Sequence, residues 1–132
     1  MKKHSRNNVL YGLKHIKEKI DRIIEKSKDC ERLEVLESDS DLQDILIRNF
    51  EVIGEASNNI SEDYMIRNSN VNWRKLIGMR HILIHQYDKI DYKIIWKAVK
   101  VDIPILERQI SQLIEIEKSK SRNINDGGIS YY

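Results

Sequence analysis

Apolar residues recur at intervals of three and four through most of this chain, and little interrupts them: 132 residues hold five glycines and one proline. That period belongs to helices that bury one face, and no run alternates at the two-residue period of a strand between turn signals. The chain therefore reads as all-α. Its length fits one domain with a real core.

Four helical patterns occur in order, the last split in two. The first spans Asn8 to Lys28, with Leu10, Tyr11, Leu13, Ile16, Ile20, Ile23 and Ile24 on its period and Asn7 or Asn8 as N-cap. Asp29 to Glu37 reads as its frayed end and a connection. The second spans Asp41 to Asn59. Ser40 and Gln43 form a capping box ahead of it, and Ile47 and Phe50 lie off its main stripe, as in a helix with two packing partners. Ser61 to Val71 is polar, with room for one turn near Glu62 to Ile66. The third helix starts after an Asn72 N-cap and ends near Tyr87. The fourth starts after Asp91 and runs to Ile103. Pro104 predicts a kink or short break, then a fifth segment from Ile105 to about Lys118. The expected architecture is an antiparallel bundle of four to five helices with sequential neighbours in contact. It forms a single domain over 1–118, with a flexible tail over 119–132, where the apolar period stops and Gly127-Gly128 appears.

A net charge of +2 does not by itself argue for nucleic-acid binding and leaves room for a local basic patch. The single cysteine, Cys30, can form no internal disulfide and reads as an inert helix-end residue. The N-terminus is basic, but Lys14, Lys17, Glu18 and Lys19 interrupt the apolar residues after it, so it is not a signal peptide. No window has the roughly 18 apolar residues of a membrane span. These features predict a cytoplasmic protein.

The third helix carries the chemistry. Its stripe is Trp73, Leu76, Ile77, Arg80, Leu83, Ile84 and Tyr87, in which Arg80 alone is charged. An arginine in an apolar stripe is costly unless it is paired or lines a cleft. Glu55 on the second helix is a candidate partner. His81 and His85, four apart, share one face. Arg80 and His85 diverge by about 140° and are about 7.5 Å apart along the axis, so they flank a groove only if a second surface completes it. A two-fold pair of such helices would bring two arginines and two histidines to one cleft. An imidazole suits general acid–base work, and an arginine suits a phosphate. RNA supplies its own nucleophile, the 2′-OH, so this set could cleave RNA without metal or cofactor. His81, His85 and Asp88 also have metal-ligand spacing, but lack a fourth ligand. Trp73 and Trp96 read as packing residues.

Arg80-His81-Ile82-Leu83-Ile84-His85-Gln86-Tyr87 matches the Arg-x4-His-x-Tyr motif of HepT-like toxins, in the HEPN superfamily of helical ribonucleases. Asp41 to Ala56, ending in I-G-E-A, is similar to that family's second helix. Trp73 to Arg80 resembles its motif lead-in, and Asp91 to Leu106 its next helix. The resemblance implies a HEPN-like homodimer with a composite RNase cleft. Arg80 and His85 would be catalytic, and His81, where the superfamily often has Asn, would be supporting. It also implies a toxin–antitoxin pair in which an MntA-like nucleotidyltransferase antitoxin transfers AMP to Tyr87. The substrate would be transfer RNA or messenger RNA. The alternative is a non-catalytic helical module that binds a nucleotidyltransferase partner, with Arg80 held internally by Glu55.

Overall fold

Val9, Leu13, Ile16, Ile20 and Ile23 step along α1 (Arg6–Ser27) by four, three, four and three residues, and all five are buried. Each fully buried aliphatic side chain stabilises the fold by about 1.5–3 kcal/mol. A stripe this long needs apolar partners along its length. It finds them in α3 (Ser40–Asn58) and α7 (Ile103–Ser130), which lie on either side of α1. A computed structural model describes the backbone of residues 6–130 and, within it, the side chains of residues 8–122 except Tyr87. Between these long helices come α2 (Leu33–Ser38), α4 (Glu62–Arg67) and α5 (Trp73–His85). A 3-10 turn at Tyr87–Lys89, α6 (Tyr92–Lys97) and a π-helical turn at Ala98–Asp102 then lead into α7. No strand occurs among the described residues, so the chain is all-α, as the period predicts.

Local chemistry accounts for where the elements start. The Asn72 side chain accepts from Lys75 N at 3.1 Å, which makes it the N-cap of α5. Asp91 caps α6 through Lys93 N, and Ser61 caps α4, the extra turn expected there. At α3 the cap lies one residue earlier than the sequence predicts. Asp39, not Ser40, accepts from Leu42 N at 3.0 Å, and the Gln43 side chain donates to the carbonyls of Leu36 and Glu37 instead of closing a capping box. The reason is α2. The stretch read as a loose connection is a helix that buries Leu36, so Asp39 ends one helix and starts the next. Asn7 and Asn8 lie inside α1 instead of ahead of it.

The irregularity expected at Pro104 is a π-helical turn and not a gap in the helical backbone. Pro104 is the second residue of α7, and the irregularity comes just before it, where Ile103 N bonds back to Ala98 O across the π turn. The wider turn relieves the carbonyl that a proline ring would meet in a regular helix. The helical backbone then continues past Lys118 to Ser130.

The packing order also departs from the sequence order. α5 lies on α3, α6 meets α2, and α7 returns to α1 instead of closing against α5. A groove of about 610 Å³ separates α5 from the π turn and α7, with Met79, Ile82, Ile94 and Ile105 among its lining residues. Two polar links cross between these parts: Lys75 with Asp102 at 2.8 Å, and Gln109 donating to Asn70 O at 2.8 Å. No helix among the described residues is long and apolar enough to cross a membrane.

Candidate functional site

α5 is anchored at two points. Trp73 is buried, sets its ring edge-on to Tyr64, and donates from Nε1 to Asn68 O at 3.0 Å. Leu83, ten residues on, is fully buried. Leu76 and Met79 pack against the core from half-buried positions. Other members of the expected stripe are not core. Ile77 is half-buried, and Ile84 is 42% exposed. α5 is therefore a half-sunk helix, with one side on α3 and the other open.

Arg80 sits where α5 crosses α3, and the crossing depends on Gly54. A Cβ at residue 54 would collide with Arg80 Cβ and come within 2.8 Å of Leu76 O. The glycine of the I-G-E-A run thus lets the two backbones approach closely enough to seat the arginine. One residue on, Glu55 Oε2 takes Arg80 Nε at 2.9 Å, the pairing expected from the sequence. Glu55 is about half exposed and Arg80 about one-third. A pair this open contributes about 0–1 kcal/mol, so it orients the guanidinium more than it holds the fold.

His81 and His85 are both exposed, with ring centroids 4.3 Å apart and planes tilted by 50°. His85 is the last residue of α5, which closes where Gln86 N bonds to Ile82 O at 2.9 Å. Arg80 and His85 are not brought together within the chain. Arg80 lines a groove between α1 and α3, and His85 does not. Tyr87 opens the 3-10 turn just past the helix, and its side chain lies outside the described residues. His81, His85 and Asp88 do not gather as a metal-holding group; among the described residues no three His, Cys, Asp or Glu side chains do.

The groove at Arg80 has a volume of about 650 Å³ and brings in residues that the motif does not contain. His15, Lys19 and Arg22 come from α1, and Arg48 and Glu51 from α3, with buried Asn49 between them. Tyr11, on the apolar period of α1, is 68% exposed and stacks on His15, with centroids 6.3 Å apart and planes 6° apart. The available signal was the spacing Tyr11, His15, Lys19, Arg22, which is one line along a helix.

Residues 16–113 match the family described as ribonuclease HepT-like. The chain is 37% identical over 106 residues to "Putative RNase MJ1380" of Methanocaldococcus jannaschii, covering 80% of this chain and 96% of that protein. It is 35% identical over 106 residues to "Putative RNase TTE0752" of Caldanaerobacter subterraneus subsp. tengcongensis, covering 80% and 94%. A third relative, "Probable ribonuclease HepT" of Thermococcus cleftensis, is 41% identical over 75 residues, covering 57% of this chain and 68% of that one. No solved structure matches significantly. The family match over most of the chain agrees with the all-helical fold and with the motif on α5: the chain belongs to the HepT-like ribonuclease family of the HEPN superfamily.

Proposed function

We propose that this protein is the toxin of a toxin–antitoxin pair, a metal-independent endoribonuclease whose active cleft is completed by a second copy of the chain. The observation that carries the reading is the placement on α5. Arg80 faces an open groove, oriented there by Glu55, while His85 stands exposed at the helix end. In the composite cleft Arg80 holds the scissile phosphate and stabilises the charge that builds on its oxygens. One His85 takes the proton from the 2′-OH as it attacks phosphorus. The other His85 gives a proton to the departing 5′-oxygen. The products are a 2′,3′-cyclic phosphate and a 5′-hydroxyl. His81, in ring contact with His85, supports its orientation, and Glu55 orients Arg80. The exposed apolar residues between Arg80 and His85, Ile82 and Ile84, fit a surface that a second copy covers. The working domain is residues 1–118, and the substrate is transfer or messenger RNA.

AMP transfer to Tyr87 by a nucleotidyltransferase antitoxin would add phosphate charge and bulk two residues past His85, at the mouth of the cleft. What supports this is position: Tyr87 lies just past the end of α5, on a short 3-10 turn.

The test is RNA cleavage by purified protein in the presence of a chelator, then end analysis of the fragments. Cyclic phosphate ends are expected, lost in both Arg80→Ala and His85→Ala. Wild-type cleavage rates in both variants would remove these residues from the chemistry. Incubation with the antitoxin and ATP should add AMP mass to wild type and none to Tyr87→Phe.

A further inference from the structure

The groove in front of Arg80 is built mainly from faces that lie outside the catalytic motif. On α1, Tyr11, His15, Lys19 and Arg22 are spaced four, four and three residues apart and form a single line. On α3, Arg48 lies seven residues before Glu55, the partner of Arg80, and so about 10 Å back along the helix axis. Arg22 and Arg48 are exposed and pair with no carboxylate among the described residues. Glu55 is already taken by Arg80, so Glu51 is the other carboxylate on the wall. The groove therefore offers guanidinium groups without a carboxylate partner, leading away from the arginine assigned to the scissile phosphate.

The aromatic at the edge makes the pattern more specific. Tyr11 is 68% exposed, its ring parallel to and offset from that of His15, so it contributes little to the core. A cationic groove that tracks a backbone, with an open aromatic beside it, is the arrangement that binds single strands, because an unpaired base can stack on the ring. A base within a duplex cannot reach such a platform, since it is already stacked and paired.

We infer that the groove between α1 and α3 is a subsite for single-stranded RNA, in which Arg22 and Arg48, aided by Lys19, hold phosphates flanking the scissile one and the Tyr11–His15 stack receives an unpaired base. This rests on the ribonuclease reading for the role of Arg80. The groove supplies binding energy remote from the reacting bond, which positions the strand in a cleft that has few groups of its own.

Binding is measured by fluorescence anisotropy, with the full-length protein and a labelled, fully 2′-O-methylated single-stranded oligonucleotide. That probe lacks the attacking hydroxyl and stays intact whether or not the protein is a nuclease. Arg22→Gln with Arg48→Gln should weaken binding at least tenfold and reduce the salt slope of log K by about 1.4, two phosphate contacts at about 0.7 each. The corresponding double change to lysine retains the charges and should keep the slope. Tyr11→Ala should weaken binding by about 5- to 100-fold with the slope unchanged. The same oligonucleotide annealed to its complement should bind more weakly than the single strand. Unchanged binding in the double glutamine variant overturns the subsite. If RNA cleavage still depends on Arg80 in that case, the ribonuclease reading survives alone. Loss of binding in a protein that does not cleave leaves the subsite standing and removes the nuclease. Charge variants that keep oligonucleotide binding but lose association with a protein partner would reassign the groove as a protein interface and overturn the inference.

Discussion

α1 and α5 flank the same helix, α3, and use their surfaces in opposite ways. α1 is packed on two sides, by α3 and α7, and Leu13, Ile16, Ile20 and Ile23 are all fully buried. α5 is packed chiefly by α3, buries only Trp73 and Leu83 deeply, and keeps Ile82, Ile84 and both histidines in the open. The contrast separates a helix that serves packing from one that presents side chains to solvent. α1 devotes its apolar face to the core. α5 holds its motif face outward on two anchors and one close crossing at Gly54.

If that division is right, the two helices respond differently to substitution. The largest effect is expected at the exposed face of α5. Arg80→Ala and His85→Ala should each cut RNA cleavage by about 10²–10⁴-fold. The melting temperature should barely move, because the Arg80–Glu55 pair is open to solvent and alanine keeps the Cβ that packs on Gly54. A large fall in melting temperature for Arg80→Ala would instead make the arginine a structural strut and favour the non-catalytic module. On α1, Ile20→Ala should do the reverse. It opens a cavity at a fully buried position and costs about 2–5 kcal/mol in denaturant unfolding.

Gly54→Ala joins the two behaviours. The added methyl must displace the α5 backbone at Arg80, so a loss of about 1–3 kcal/mol is expected together with slower cleavage. Normal cleavage in a destabilised Gly54→Ala would show that the crossing does not position the arginine. The smallest effect is expected at Tyr64, which packs on the Trp73 anchor. Its hydroxyl is buried and makes no hydrogen bond among the described residues. Tyr64→Phe should change stability by about 1 kcal/mol or less at neutral pH, with the sign favouring phenylalanine. Burial, then the nearby Glu117 carboxylate, push the Tyr64 phenol up from 10.0 to about 12. The folded state therefore keeps a proton that the unfolded chain releases, and stability falls as pH rises from about 10 to about 12. Tyr64→Phe should make that alkaline decline shallower in thermal melts.

Much of the site could be read from the linear order. The period placed Arg80 among apolar neighbours, which singled it out, and I-G-E-A supplied Glu55 as its partner. Asn72 and Asp91 were visible as caps because a side-chain oxygen ahead of an apolar period has a strong local reason to be there. Leu36 was invisible as a core residue because six residues of helix are too short for a periodic signal. Tyr11 and Ile24 follow the apolar period of α1 and are exposed, for a related reason. A helix packed on two sides still has a third, and an apolar residue on the edge of the stripe can fall there.

The sequence by itself determined the helices α1, α3 and α5, most of the α1 core and the motif on α5, since each depends on residues within a turn or two of one another. Only the tertiary structure decided that α7 returns to α1 and leaves an apolar groove beside α5. It also decided that Arg22 and Arg48 meet across a groove at Arg80. Such meetings join residues distant in the chain, through the angles and distances at which whole helices pack, and no local spacing encodes them.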